Sequence, residues 1–487
     1  MRRDVTGPDA AVAEGRPRPA PSVRWALAGL SLSMLLSSLG TSIANVALPT
    51  LAQAFETSFQ QVQWIVLAYL LAITTLIVSV GRLGDLIGRR RLLLAGILLF
   101  TVASVLCGLA PTLWLLIAAR AAQGLGAAVM MALTMAFVGE TVPKARTGSA
   151  MGLLGTMSAV GTALGPSLGG LLIAGLDWRA VFLVNAPLGV LTLLLAHRHL
   201  PADQGREPGR SRARFDHVGT LLLALTLAAY ALAMTLGGGG FGARGAILLA
   251  AAVLGGALFV RAEARAASPL ISLATFRDPV LGTGLATSAL VSTVMMATLV
   301  VGPFHLSRAL GLDEARVGLA LSAGPLVAAL TSAPAGRVTD RWGSRRMSVV
   351  GLGGVLAGTL ALAVLPTTLG VIGYLAPIGV TTAGYAVFQT ANNTSVMADV
   401  PADRRGVISG MLNLSRNLGL VTGASAMGAV FASASAATDI TTARPEAVAT
   451  GTRITFAVAA ALIVLALALA VTMAGRRDRA RRAPRPV

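Results

Sequence analysis

GRLGDLIGRRR at Gly81 to Arg91 and GRVTDRWGSRR at Gly336 to Arg346 are near-copies of one short motif. Each joins two long apolar segments. A glycine-containing turn, an aspartate and an arginine cluster between such segments describe a tight loop on the positively charged side of a membrane. Present twice, they describe a duplicated bundle of membrane helices. Duplicated bundles are the usual build of secondary transporters, whose halves rock around a central site, so transport is the leading functional expectation.

Composition points the same way. With 55% hydrophobic and 12% charged residues among 487 and a mean hydropathy of +0.76, the chain is excluded from the ordinary soluble class. A net charge of +19 and a pI near 11.7 would suit a nucleic-acid binder only if the cations shared a face of a soluble fold. Here they lie between apolar runs, and a cytoplasmic N-terminus puts most of the 39 Lys and Arg on the inner side, as the positive-inside rule requires. No nucleic-acid partner is expected. The single cysteine, Cys107, lies in an apolar span and excludes an internal disulfide and a multi-cysteine metal site. Met1 to Ser22 is rich in Pro, Ala and Arg, and the apolar span after it is too long for a signal peptide.

At about 20 apolar residues per crossing, the chain reads as roughly fourteen helices. The first six begin near Trp25, Trp64, Leu92, Leu113, Ser149 and Ala180, two more near Val218 and Gly245, and the last six near Val280, Val317, Met347, Leu369, Val407 and Ile454. An even number leaves both termini cytoplasmic. A second echo, VPKARTG from Val142 and VPADRRG from Val400, matches spans 1 to 6 with spans 9 to 14. The expected layout is a disordered cytoplasmic tail (1–23), a six-helix bundle (24–197), a basic linker (198–217), two inserted helices (218–260), a second linker (261–279), another six-helix bundle (280–474) and a basic cytoplasmic tail (475–487). The Gly237 to Gly240 run reads as a flexible outer hairpin; no Lys-Ser/Thr follows it to make a phosphate cradle.

NVALP at Asn45 to Pro49, QWIVLAYLLA at Gln63 to Ala72, RAAQGLGAA at Arg120 to Ala128, GTALGPSLGG at Gly161 to Gly170, WRAVFLVNAPLG at Trp178 to Gly189 and PLISLATFR at Pro269 to Arg277, in this order, resemble the signatures of the fourteen-helix drug:proton antiporter branch of the major facilitator superfamily. The resemblance implies an all-α polytopic membrane protein of the major facilitator fold, two six-helix bundles plus a two-helix central insertion. It also implies proton-coupled export of small amphipathic molecules, such as drugs, antibiotics or secondary metabolites, across a bacterial cytoplasmic membrane. No enzyme activity, metal or cofactor is expected, the proton gradient being the energy source. The expected partners are a small-molecule substrate, protons and membrane lipid, and the expected state is a monomer.

In the first motif, Gly81 and Gly84 are expected to let spans 2 and 3 turn closely, and Asp85 to meet the positive N-terminal end of span 3 or a nearby Arg. The resemblance implies a gating latch at Gly81, Asp85, Gly88 and Arg89, with Arg90 and Arg91 readable as topology anchors. The second copy keeps Gly336 and Asp340, with Arg341 as a further gating candidate, but carries Thr339 in place of the second glycine and Ser344 within the Arg run, which favours Asp85 as the principal latch. Gly161, Gly165 and Gly169 recur on one helical face and permit close helix approach, while Pro166 would bend or loosen the helix. With Gly170 this stretch resembles a motif associated with exporters, generic small-residue packing being the alternative.

Arg120 lies within span 4, where a charge costs about 2.5–3.5 kcal/mol on insertion scales, and Gln123 shares its face. The resemblance implies a part in proton movement or substrate-side electrostatics; a strut bonded to helix carbonyls is the alternative. Arg416 poses the same question in the second half. Asn45, Gln63, Tyr69, Tyr385, Gln389, Asn392, Asn393 and Asn413 either line a cavity or tie helix to helix. His305 reads as structural more than as a proton carrier, and Met295 and Met296 as packing or lipid-facing.

One departure bears on mechanism. Where many family members read LDxTIVNVALP in span 1, this chain reads LGTSIANVALP, with Gly40 in the Asp position. No Asp or Glu falls deep within a span, and Glu140 is the nearest. Buried arginines without a buried carboxylate favour a neutral, zwitterionic or anionic substrate. The proton carrier is then Glu140, Asp85, His305 or a group on the substrate. An importer or exchanger of a neutral or anionic molecule is the same-class alternative. A membrane enzyme or sensor is disfavoured, since no paired buried carboxylates, metal-ligand cluster or activated nucleophile is evident.

Overall fold

The computed structural model describes residues 23–57, 59–201, 216–236, 243–266, 269–271, 278–364, 366–435 and 444–482. Residues 1–22 of the expected N-terminal tail (1–23), the glycine-rich hairpin at Gly237 to Gly240, most of the first linker (202–215), part of the second (267–268 and 272–277) and residues 483–487 lie outside the described residues.

Among these residues the structure is helical, without strands. The helices are α1 Val23–Ala54, α2 Phe59–Ile87, α3 Arg89–Leu109, α4 Leu113–Thr141, α5 Thr147–Gly175, α6 Ala180–Leu183, α7 Asn185–His199, α8 His217–Leu236, α9 Ala243–Glu263, α10 Pro279–Phe304, α11 Glu314–Trp342, α12 Ser344–Val364, α13 Gly370–Met397, α14 Arg405–Ala434 and α15 Pro445–Arg482. Taking α6 and α7 as one span, fourteen are long and apolar enough to cross a membrane. Leu171, Leu319 and Ile372 are 72%, 77% and 79% exposed, an apolar exterior suited to lipid and not to water.

Local chemistry explains the helix boundaries. Asp278 caps α10 by accepting the Val280 N–H at 2.9 Å, with Pro279 at the first helical position. Asp313 caps α11 through the Arg316 N–H at 2.8 Å, and Thr112 caps α4 through that of Leu115 at 3.4 Å. Inside the spans, hydroxyls return to their own helix: Ser33 donates to the Gly29 carbonyl at 3.0 Å and Ser37 to that of Ser33 at 2.9 Å. Such back-bonding satisfies polar groups where lipid offers no partner. One helix departs from the expected bounds at both ends: α15 starts at Pro445, not Ile454, and runs to Arg482, past the expected boundary at 474.

The packing repeats. α1 packs on α5 as α10 packs on α14, α2 on α4 as α11 on α13, α3 on α4 as α12 on α13, and α3 on α7 as α12 on α15. Between these halves, α5 packs on α11 and α2 on α14. The inserted α8 and α9 pack on each other, and α8 lies against both α2 and α14. Tyr230 of α8 bonds Thr422 of α14, and Ser425 donates to the Met234 carbonyl.

The cores follow the same plan. One cluster around Val294, Val355, Phe388 and Phe456 belongs to α10–α15 alone, and another around Leu39, Leu116 and Phe182 to α1–α7. The largest crosses between halves, joining Ile77, Val129 and Met131 to Val407, Ile408, Met411 and Leu412. That crossing lies at the end of the molecule carrying both GRxxD motifs.

Candidate functional site

The two sequence echoes interlock. Asp85, near the end of α2, accepts the backbone N–H groups of Gly406 and Val407 at 3.0 and 3.1 Å, the first turn of α14 that follows VPADRRG. Asp340, near the end of α11, accepts those of Gly148 and Ser149 at 2.7 and 2.8 Å, the first turn of α5 that follows VPKARTG. Each half thus offers a carboxylate to a helix N-terminus of the other, where free N–H groups and the helix dipole favour an anion. The partner of Asp85 is therefore not the N-terminus of α3, as the sequence suggests, but that of α14. Arg89 is the expected nearby Arg, donating to Asp85 at 2.7 and 2.9 Å. Arg89 also bonds Glu140 of its own half and, across the seam, the Ala402 carbonyl.

The second copy is no weaker in geometry. Ser344 replaces the Arg89 equivalent, but the Ser149 hydroxyl donates to Asp340 in its stead. Asp340 therefore has three donors from the opposite half, and the preference for Asp85 has no geometric basis. Arg341 is exposed and takes no part in the interlock.

The motif glycines are also reassigned. Gly81 and Gly84 lie inside α2, and the turn into α3 is made by Gly88 alone, with φ 107°; Gly343, with φ 88°, does the same between α11 and α12. Both conformations suit only glycine. Gly81 is instead where α2 meets α14: a Cβ there would fall on the Gly406 carbonyl, and one on Gly336 would fall on that of Gly148. Gly84 faces Leu133 of α4. Gly406→Val is expected to force the α2–α14 seam apart, since overpacking of about 1–3 kcal/mol translates to roughly a tenfold or larger loss of transport. Transport assays at matched expression check it; full activity would mean that the contact is dispensable.

Arg120 is fully buried. It donates to the Ile65 carbonyl of α2 at 3.0 Å, the Gly40 carbonyl of α1 at 3.1 Å and Gln123 Oε1 at 2.5 Å. Its guanidinium lies 4.1 Å from the Tyr69 ring centroid, in cation–π range. Gln123 continues to Ser104 of α3 at 2.7 Å, and the Tyr69 hydroxyl to the Ser37 carbonyl at 2.8 Å. The strut alternative describes this geometry: one cation ties α1, α2 and α3 to α4. It also gives Gly40 a packing reason, because a Cβ there would press on the Tyr69 hydroxyl at 3.0 Å and Phe100 at 3.3 Å.

The remaining candidates divide. Asn392 ties α13 to the Gly284 carbonyl of α10 at 3.0 Å, and Asn413 ties α14 to Met131 and Met135 of α4 at 3.5 and 3.2 Å. Asn45, bonded to the Thr41 carbonyl at 3.3 Å, and Gln63 are exposed. Tyr385 and Gln389 are half-buried; Gln389 bonds Asn393 at 3.5 Å and leaves its Oε1 without a donor. Arg416 is half-buried, with its Nε buried and without an acceptor. His305 stacks on Tyr374 at 5.2 Å and meets Thr452 at 3.2 Å, a packed position. Met295 packs on the α10–α15 core, and Met296 lies against Gly423.

On α5, Gly161 meets the Leu35 carbonyl, and Gly165 and Gly169 meet Ser42 and Ile43, so the stripe lies on α1. Gly170 faces open space, and Pro166 sits inside an unbroken helix. Glu263 escaped the sequence reading because it fell in a linker. It is the buried last residue of α9, accepting the Ile271 N–H at 3.1 Å beside Asp216; a lone acid after an apolar run was its only signal. Among the described residues, every hydrogen bond between the two halves lies at the motif end, Asn413 being the deepest participant.

A family model described as Major Facilitator Superfamily matches residues 30–424. The chain is similar to the multidrug resistance protein Stp of Mycobacterium tuberculosis, 34% identical over 408 residues that cover 83% of this chain and 74% of Stp. It is also similar to the riboflavin transporter RibZ of Clostridioides difficile, 28% identical over 403 residues, 83% of this chain and 87% of RibZ. Among solved structures, the proton:xylose symporter XylE matches with a TM-score of 0.65 at 14% identity, over 92% of this chain and 94% of that one, a likeness of fold.

Proposed function

The chain belongs to the Major Facilitator Superfamily, and from that premise we propose that it exports small amphipathic molecules, coupled to protons, by alternating access across the bacterial cytoplasmic membrane. The observation that carries the reading is the reciprocal pair of carboxylate caps, which closes the halves on each other at one end only. In this reading 24–197 and 280–474 are the rocking halves and 218–260 an insertion. The motif end, with Arg89, Arg90 and Arg91, faces the cytoplasm together with both termini. Export is supported by the multidrug resistance name of Stp and by the helix 5 stripe of Gly161, Gly165 and Gly169.

Asp85 is the group best placed to take a proton. Once neutral, it loses its charge-assisted hold on Arg89 and on the α14 N–H groups, which releases the seam. Glu140, sharing Arg89, is the second candidate. A potential of 100 mV supplies about 2.3 kcal/mol per charge moved, enough to drive accumulation.

Transport into energised inside-out vesicles tests the proposal. Uncoupler-sensitive accumulation of at least one drug-like compound, with hypersensitivity of a deletion strain to it, is expected. Accumulation only in right-side-out vesicles would establish an importer and overturn export.

A further inference from the structure

Resting on the transport reading above, we propose that Arg416 is the substrate-binding cation of this protein, and that its substrates are amphipathic organic anions. Arg416 lies on α14, eleven residues from the helix start, about 16 Å along the axis at 1.5 Å per residue. That depth is near the middle of a hydrocarbon core of about 30 Å.

Its direction follows from its neighbours on the helix. Ser409 is seven residues earlier, close to two full turns, and therefore on the same face. Ser409 donates to the Ala132 carbonyl and Asn413 to that of Met131, so this face of α14 points at α4 and is closed on it up to Asn413. On one flank Ser415 and Gly419 bond α10, through the Leu285 carbonyl at 2.5 Å and the Thr293 hydroxyl at 3.0 Å. On the other, Gly406 and Gly410 meet α2. Arg416 thus projects between α4 and α10, one turn past the deepest bond joining the halves.

At that point the guanidinium has no partner among the described residues. No hydrogen bond or ion pair joins Arg416 to any described residue, and its Nε is buried without an acceptor. Arg120 shows what this protein does with an arginine that is part of the frame: it engages two carbonyls and a side-chain amide. The acids of the described residues supply no counter-charge at this depth. Asp85, Glu140 and Asp340 are held at the motif end, and Glu263 on α9. A permanently charged fork at mid-membrane without an internal counter-ion matches a ligand that brings its own anion, which it can hold through two parallel hydrogen bonds. The same charge repels cations in a low-dielectric space.

Equilibrium binding of three xanthene dyes to the full-length protein in lipid nanodiscs, read by fluorescence anisotropy, tests the assignment: anionic fluorescein, zwitterionic rhodamine B and cationic rhodamine 6G. In the wild type, fluorescein is expected to bind tightest. Arg416→Gln should weaken fluorescein binding about tenfold, the usual worth of a charge-assisted pair, and leave rhodamine 6G nearly unchanged. Arg416→Lys should retain the order, and Arg416→Glu should invert it. A wild type that prefers rhodamine 6G or binds none of the dyes, or an order identical in wild type and Arg416→Glu, overturns the proposal. The Lys variant preserves charge and decides the matter if the other variants fail to fold. Binding is read without gradient or direction, so a failure here leaves export to stand or fall in the vesicle assay.

Discussion

Asp85→Asn and Asp340→Asn are each expected to lower energised transport about tenfold, to similar extents, and the double variant is expected to abolish it. Hydrogen bonds to a charged group are worth about 1.5–3 kcal/mol, and each 1.4 kcal/mol is a tenfold shift between states. Asn keeps one oxygen but loses the charge that suits a helix N-terminus. The similar size of the two effects is the informative part. Asp85 has two backbone donors and Arg89, while Asp340 has two backbone donors and the Ser149 hydroxyl. Full transport by Asp340→Asn, with only Asp85→Asn impaired, would restore the unequal latch that the degraded second motif suggests. Vesicle transport at matched protein levels decides it.

Arg120→Leu is expected to produce the largest loss of stability of any single substitution in the first half. It leaves the buried amide oxygen of Gln123 without its donor, at about 1–3 kcal/mol for the unsatisfied group, and takes from the helix carbonyls of Gly40 and Ile65 the bonds that tie α1 and α2 to α4. It also removes the cation over Tyr69. Arg120→Lys should rescue little, because a compact ammonium cannot serve a carbonyl of α1, a carbonyl of α2 and Gln123 from one planar fork. Thermal unfolding in detergent, followed by a fluorescent thiol or tryptophan signal, measures it. An Arg120→Leu protein that melts with the wild type yet fails to transport would move Arg120 from frame to substrate site.

The membrane helices were legible because a 20-residue apolar run is a strong local signal. The two-fold plan was legible because both GRxxD motifs and both VPxxRxG segments survive in the chain. Their partnership was not. Asp85 is 321 residues from Gly406 and Asp340 192 from Gly148, and nothing local says which helix N-terminus a carboxylate will meet. The glycines misled for a related reason: a glycine in a loop-like motif reads as a turn, whereas Gly81 and Gly336 are sites of interhelical backbone contact, and only Gly88 and Gly343 turn the chain. The start of α15 was missed because PEAVATGTR looks like a loop by hydropathy, although its residues continue a helix that becomes apolar at Ile454. Arg120 and Arg416 looked alike as single charges in apolar helices. Only their surroundings separate them: Arg120 bonds carbonyls of α1 and α2, whereas Arg416 has no partner among the described residues.

Alternating access held by the two reciprocal caps is best tested by the distance across the motif-end seam. Lys144 precedes α5 in the first half, and Asp399 precedes α14 in the second; their charged groups lie 3.6 Å apart and their side chains are 83% and 91% exposed. Cys107 is the sole cysteine of the chain, so a Cys107→Ala background allows spin labels at Lys144→Cys and Asp399→Cys alone. Pulsed electron spin resonance of that protein in nanodiscs should show a dominant short-distance population. Adding Asp85→Asn and Asp340→Asn should transfer most of it to a longer distance. An identical distance distribution with and without the two Asn substitutions would contradict the account.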